Sequence, residues 1–179
     1  IKQYDLSALK NQFLAGERCD NATIEWYQQH IPIPVIDHWW QTESGWPMVA
    51  NSLGIEQMLV KPGSATKAVC GYDIRIFNEN GEELNANEEG LVVVKLPLPP
   101  GNMLGIWENE TRFKASYFSK FDGYYLSGDG GYKDEDGYVF ITGRTDDVIN
   151  VAGHRLSTAE MEEIVASHQS VAECAVIGI

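Results

Sequence analysis

The sequence is short of positive charge. Of its 179 residues, 13 are Lys or Arg against 26 Asp or Glu, a formal net charge of -13. A surface that grips nucleic acid neutralises many phosphates with Lys and Arg, so this balance argues against a nucleic-acid partner. Cysteine is scarce as well. Cys19, Cys70 and Cys174 are odd in number, far apart and without a CxxC spacing. They read as free thiols in a reducing compartment, not as a disulfide frame or zinc site. His30, His38, His154 and His168 are equally scattered, which argues against a histidine metal cluster. No apolar run approaches the roughly 20 residues that cross a bilayer, so no membrane partner is expected. Core material, in contrast, is ample. The hydrophobic fraction is 44%, with 11% aromatics, and this excludes global disorder.

The chain starts at Ile1 and stops at Val176-Ile177-Gly178-Ile179, which reads as a buried strand. An apolar strand needs neighbours for its backbone groups and its faces, so the chain reads as a fragment.

Three regimes follow one another along the sequence. Residues 5–12 predict a helix with Leu6, Leu9 and Phe13 on one face. Phe13-Leu14-Ala15 is a short strand ending at Gly16-Glu17. Asp20 caps a helix carrying Ile24, Tyr27 and Ile31, which Pro32 and Pro34 stop. Val35-Ile36 is a second strand. This alternation predicts an α/β layer over 1–59, with function at the carboxyl ends of its strands. Over 60–145 the pattern becomes β-rich, a distorted barrel. Its strands are Tyr72–Phe77, Leu91–Val94, Tyr124–Leu126 and Tyr138–Ile141, with a turn at Asn78-Glu79-Asn80-Gly81 and a short helix at Thr111–Phe118. Pro97, Pro99 and Pro100 break the chain after the second of these strands. Asp134-Glu135-Asp136-Gly137 is a turn and not a calcium loop, because Tyr132 and Gly143 would fill positions that need a carboxylate. The sequons at Asn21 and Asn109 read as chance matches. Over 146–179 a β-β-α-β pattern begins. It comprises Val148–Val151, a turn at Gly153, a capping box at Ser157 and Glu160, a helix turning Met161, Ile164 and Val165 to a core, and a strand over Val171–Ile179.

Three clusters carry chemistry. They are Asp37-His38-Trp39-Trp40-Gln41-Thr42-Glu43-Ser44-Gly45-Trp46-Pro47, then Gly123 to Asp129, then Gly143 to Arg155. Each alone has an ordinary reading as core anchor, turn or surface charge. Together, Thr42, Glu43, Asp129, Arg144 and Arg155 supply a hydroxyl, two carboxylates and two guanidinium groups. That inventory suits a nucleotide, with arginine for phosphate, one carboxylate for ribose and another for magnesium.

These clusters resemble the acyl-CoA synthetase (adenylate-forming, AMP-binding) superfamily over nearly the whole chain. Gly143 to Arg155 resembles its hinge motif and Gly128-Asp129 its ribose-binding Thr-Gly-Asp. Asp37 to Gly45 resembles its aromatic-Thr-Glu motif, and Gly16-Glu17 its adenine-side Gly-Glu-Pro. The double Trp before Gln-Thr-Glu points to the short-chain branch. Gly45-Trp46-Pro47 and Asn150 to Thr158 are more like the propionyl-CoA than the acetyl-CoA synthetase group. The resemblance implies that residues 1–145 are the C-terminal part of the large AMP-binding domain. Residues 146–179 would be the hinge and the start of a small α+β lid domain.

It also implies a reaction and a set of roles. A carboxylate, propionate or acetate, is activated by ATP to an acyl-adenylate, and the CoA thiol then releases AMP. Gly16, Glu17, Arg18, Asp37, His38, Trp39, Trp40, Gln41, Thr42, Asp129, Arg144 and Arg155 would line the ATP/AMP site. Thr42 and Arg155 would act on phosphate in catalysis and Glu43 would hold Mg2+. Asp129 would accept from ribose, and Trp40 would floor the acyl pocket. Ala152 would approach CoA, and Asp146 would be the hinge residue. His168, beside Ala166 and Val171, occupies a place where some short-chain relatives hold a cation, but its ordinary reading is a helix-end histidine.

The sequence departs from the family at Arg18 (usually Pro), at Ser44 and Ser127 (usually Thr) and at Ala152 (Ser in acetyl-type relatives). It holds no phosphate loop ending in Pro-Lys, and the lid's catalytic lysine would lie past Ile179. The 179 residues alone are therefore expected to be inactive. Acetate against propionate, a different acid or acceptor, a non-catalytic nucleotide-binding module and a plain α+β domain without a site stay open. So do the oligomeric state and the compartment, cytoplasm or mitochondrial matrix.

Overall fold

The computed structural model describes residues 4–16, 21–31, 33–151, 154–168, 170–171 and 173–177. It is a mixed α/β structure built on two four-stranded sheets. The first has the order β1 (Gln12–Leu14), β2 (Val35–Trp39), β3 (Val49–Ala50) and β4 (Lys67–Ala68). β1 and β2 are parallel, with Leu14 opposite Asp37, and helix α1 (Asn21–His30) crosses between them. The crossover places the carboxyl ends of both strands side by side, so Gly16 and Trp40 leave the sheet at one end. Ile24 and Ile31, at helical spacing, are buried, as are Val35 and Ile36. β2 runs three residues past the predicted Val35-Ile36, because His38 and Trp39 pair with Ala50 and Val49.

The second sheet is antiparallel, in the order β5 (Ile74–Phe77), β6 (Gly90–Lys95), β7 (Tyr124–Lys133) and β8 (Val139–Arg144). All four apolar residues of Leu91–Val94 are buried, so β6 is covered on both faces. Backbone bonds from Val139 N to Thr66 O (2.8 Å) and from Ala65 N to Val139 O (3.1 Å) stitch the two sheets together. β4 lies beyond residue 60 yet belongs to the first sheet. Trp39, Met48 and Val49 of the first sheet share a core with Ile74, Val92, Val94 and Tyr125 of the second. Burial of each such side chain contributes about 1.5–3 kcal/mol. Helix α2 (Glu110–Tyr117) is capped by Asn109, whose side chain accepts from Arg112 N. The acidic turn at Asp134–Gly137 is as expected, its charge answered by Lys61 Nζ at 2.5 Å from Asp134 and 2.7 Å from Asp136.

After β8 come the hairpin β9 (Val148–Val151) and β10 (His154–Ser157), then helix α3 (Thr158–Ala166) against β10 and β8.

Four expectations are corrected. No helix forms over 5–12. Asp5 Oδ1 takes Ser7 N at 3.0 Å in a local turn, and Leu6 and Leu9 stay exposed. A helix this short is marginal in water without a packed face. The strands β5 to β8 form an open sheet rather than a closed barrel: β5 is one edge, while β8 at the other end meets Thr66 of the first sheet through a single bridge at Val139. No strand forms among the described residues of 171–177. Val176 N instead donates to the side-chain Glu162 Oε1 at 2.8 Å. Ile164 and Val165 of α3 point to solvent, not to a core. The cap expected at Asp20 and the turn at Gly153 lie outside the described residues.

Candidate functional site

The site forms where β2 ends against the middle of β7. After Trp39 the chain turns sharply: Ser44 N and Gly45 N both donate to Gln41 O, and the Ser44 hydroxyl accepts from Gln41 N at 3.0 Å. Ser44 is 1% exposed, so this hydroxyl is an internal brace. Met103 N donates to Glu43 O at 2.7 Å and fixes the far side of the turn.

Facing that turn is Asp129, a buried carboxylate on β7. Its Oδ2 accepts from Trp39 Nε1 at 3.1 Å and from Gln41 Nε2 at 2.6 Å. Gln41 Nε2 also donates to Ser127 O at 2.8 Å, while Gln41 Oε1 accepts from the Tyr125 hydroxyl at 2.7 Å. Only this orientation of the amide satisfies all three contacts; a flipped amide would set its oxygen against two acceptors. With Oδ2 engaged twice, Oδ1 makes no hydrogen bond among the described residues and faces Arg144 Nη1 at 3.6 Å. Burial pushes the Asp129 carboxyl above its ordinary range, while Arg144, Trp39 and Gln41 pull the other way. One oxygen of a fixed, partly desolvated carboxylate is thereby left for a hydroxyl donor.

Arg144 ends β8 directly opposite Asp129 in the sheet register. Its Nη1 donates to Ser127 O at 3.1 Å and its Nε to Asp146 Oδ1 at 2.9 Å. The guanidinium lies over Gly128, where a Cβ would stand 2.7 Å from Arg144 Nη2. Gly128 also has φ +78, a conformation that L side chains rarely adopt, so the backbone requires glycine here, and a Cβ would have to push the Arg144 guanidinium aside. Thr145 closes the corner, its N and its hydroxyl both donating to Gly128 O. The hinge candidate Asp146 thus holds the arginine expected to touch nucleotide. That arginine keeps the Asp146 carboxyl below the ordinary range.

The structure gathers Trp39, Gln41, Asp129, Arg144 and Asp146 into one bonded cluster, with Glu43 at its edge. Asp37 Oδ1 accepts from His38 N at 2.8 Å. His38 packs edge-on to Phe13, and burial holds its imidazole below the usual histidine range. Its buried Nδ1 has no hydrogen-bond partner among the described residues, and the Leu14 backbone beside the ring opposes the effect of burial. Trp40 and Thr42 are exposed beyond the end of β2. Gly16 follows β1 with φ +104. Arg155 lies on β10 opposite Asn150, and nothing is described of its side chain. Glu17, Arg18 and Ala152 lie outside the described residues. His168 is exposed at the end of α3, its Nδ1 accepting from Ser170 N at 3.3 Å.

Two residues escaped sequence reasoning. Tyr125 was legible as part of a strand and of the Gly123 to Asp129 cluster, without a role of its own, and Tyr117 only as an aromatic of a short helix. In the structure their rings stack, with centroids 5.6 Å apart and planes 13° apart. The Tyr117 hydroxyl donates to Glu43 Oε1 at 2.9 Å. That leaves Glu43 Oε2 unengaged among the described residues. A carboxylate oxygen is the kind of donor that magnesium takes from a protein, so Glu43 fits as a single ligand of that ion, and no group of three or more such side chains gathers among the described residues.

Comparisons with known proteins agree with this geometry. A family model described as AMP-binding enzyme matches residues 1–107. The chain is 53% identical over 179 residues to an uncharacterized protein of Pseudomonas aeruginosa, covering 100% of this chain and 28% of that one. It is 51% identical over 178 residues to acyl-CoA synthetase short-chain family member 3, mitochondrial, of Mus musculus, covering 99% and 26%. Propionate--CoA ligase of Escherichia coli is 48% identical over 181 residues, covering 100% and 29%. Among solved structures, the anthranilate CoA ligase AuaEII in complex with anthranoyl-AMP superposes with a TM-score of 0.81 at 29% identity, covering 99% and 32%. The chain therefore spans less than a third of the length of each of these proteins. It belongs to the AMP-binding enzyme family, with the fold of an adenylate-forming ligase.

Proposed function

We propose that the chain is the nucleotide-facing part of a short-chain acyl-CoA synthetase, an acid-thiol ligase acting on propionate or acetate. In the first half-reaction a carboxylate oxygen bonds to the α-phosphorus of ATP and the bond to the departing diphosphate breaks. In the second, the CoA sulfur bonds to the acyl carbon and AMP leaves. The observation that carries the reading is Asp129. Two donors consume its Oδ2, while Oδ1 is left beside Arg144. An ionised carboxylate held in this way accepts from ribose hydroxyls, and the adjacent guanidinium contacts ribose and phosphate oxygens.

The other residues divide the remaining work. Glu43 would hold Mg2+, which when bound would spread charge over the phosphates. Thr42, exposed at the turn, donates to phosphate, and Arg155 stabilises phosphate charge as the adenylate forms. Asp37 to Gln41 and Gly16 to Arg18 flank the base, with Gly16 letting the backbone approach adenine closely. Trp40 floors the acyl pocket and its indole limits the acid to two or three carbons. Residues 1–145 belong to the large domain. The small domain begins at Asp146, whose backbone absorbs the swing between half-reactions and brings Ala152 toward CoA. The names of the short-chain relatives support this substrate class over the aryl acid in the name of AuaEII. No helix among the described residues is long and apolar enough to cross a membrane.

Calorimetric titration with AMP, and with a propionyl-AMP analogue, tests the site. Both bind saturably to the wild-type chain, and Asp129→Ala abolishes both isotherms. Equal binding by wild type and Asp129→Ala would remove the basis of the reading.

A further inference from the structure

The stacked tyrosines have no part in the roles above, yet both hydroxyls reach one stretch of three residues. Tyr117, at the end of α2, donates to Glu43 Oε1 at 2.9 Å, and Tyr125, on β7, donates to Gln41 Oε1 at 2.7 Å. The backbone of this turn does not depend on either hydroxyl. Ser44 holds Gln41, and Met103 N holds Glu43 O. Nor does packing depend on them, since the Tyr117 ring lies against Phe113, Phe118 and Tyr125 through its carbon surface. What the hydroxyls fix is the direction of two side chains. Tyr117 is the one side-chain donor to the Glu43 carboxylate among the described residues. Tyr125 fixes the Gln41 amide, which in turn donates to Asp129 Oδ2 at 2.6 Å.

We propose that Tyr117 and Tyr125 are positioning residues that orient the two ligand-binding carboxylates separately: Tyr117 that of Glu43 toward the metal, and Tyr125, through Gln41, that of Asp129 toward ribose. The inference rests on the roles given above to Glu43 and Asp129. A carboxylate with one oxygen tied to a hydroxyl presents the other in a fixed direction, so a ligand finds it already ordered. Because the rings stack while their hydroxyls diverge to different partners, each function can be removed without the other.

The test uses the full-length parent enzyme and two binding measurements that need no turnover. Mn2+ serves as the metal probe, followed by electron paramagnetic resonance with a saturating non-hydrolysable ATP analogue. AMP without metal is followed by calorimetry. Tyr117→Phe is expected to weaken Mn2+ by about tenfold or more, the usual range for losing a partner of a metal ligand, while metal-free AMP stays within about twofold. Tyr125→Phe is expected to do the reverse. A Tyr117→Phe protein with wild-type Mn2+ affinity overturns the inference, as does one that loses both affinities equally, which general loosening would give. Should Tyr117→Phe not fold, the Tyr125→Phe arm decides alone on the same criteria. Glu43→Gln separates the levels. If it keeps wild-type Mn2+ affinity, the metal role of Glu43 fails and the inference with it. If wild type binds no AMP, the functional reading itself fails.

Discussion

Trp39 and Asp129 lie 90 residues apart in sequence, yet the indole Nε1 donates to the carboxylate Oδ2 at 3.1 Å. This bond ties the end of the parallel layer to the middle of the antiparallel sheet at the carboxylate proposed to take ribose. It also places a donor that cannot accept on the oxygen that must stay occupied.

Trp39→Phe tests that bond. The ring is kept in the core, but a buried carboxylate loses one of its two donors at Oδ2. Unfolding free energy should fall by about 1–3 kcal/mol in urea titration. AMP affinity should fall with it, since Oδ1 is no longer held in place. A variant as stable as wild type with unchanged AMP affinity would show the bond to be incidental.

Acid should weaken AMP binding earlier than an exposed aspartate would allow. Burial lifts the Asp129 carboxyl above its usual 3.8, so the ionised form proposed to accept from ribose is lost as pH falls through that raised value. The stability effect has the opposite sense. Below 3.8 the group is protonated in both folded and unfolded chains, and no charge is buried. As pH rises through the folded value, the cost of burying the charge appears in full. Asp129→Asn should therefore gain stability relative to wild type as pH rises, while failing to bind AMP. Thermal melts and calorimetry across acid to neutral pH read both effects. A relative stability that ignores pH would contradict the burial argument.

Gly128→Ala should cost about 1–2 kcal/mol for the left-handed backbone alone. The added methyl would also stand 2.7 Å from Arg144 Nη2, forcing the guanidinium off its perch. The same substitution at Gly137, where φ is also +78 but no atom lies within 4 Å of a Cβ, keeps the backbone cost and omits the clash. Weakened AMP binding should therefore follow Gly128→Ala and not Gly137→Ala.

Trp40→Gly should shift the preferred acid toward longer chains in the full-length enzyme. The measurement is kcat/KM for propionate, butyrate and hexanoate. An unchanged order would take Trp40 out of the acyl pocket.

The sequence made the site more legible than the architecture around it. Trp39, Gln41, Asp129 and Arg144 lie in the three clusters dense in polar and glycine residues, and the structure joins them by hydrogen bonds and one ion pair. β6, α2 and β9 were located to within a residue or two, the two strands because their apolar runs are plain and their partners lie in this chain. It failed at residues 5–12 and 171–177 for a shared reason: an apolar pattern states a tendency to be covered, and Leu6, Leu9 and Ile177 are exposed here. The length of β7 was hidden by its glycines. Gly128-Asp129 has the ordinary reading of a turn, yet it and the following Gly130-Gly131 pass through the sheet, with a bulge between Gly130 and Gly131. The pairing of the two tyrosines left no signal, although Tyr125 lies in one of the three clusters, because a hydroxyl that bonds a residue 74 or 84 positions away has no periodicity to read.

Diphosphate release by the full-length parent enzyme, with ATP, Mg2+ and acetate, propionate or butyrate in turn, tests the central claim most directly. Release that depends on acetate or propionate and falls off at butyrate, with matching acyl-CoA formation on adding CoA, is the predicted result. Diphosphate release with none of the three acids, from an enzyme that binds AMP, would contradict the assignment to short-chain acyl-CoA synthesis.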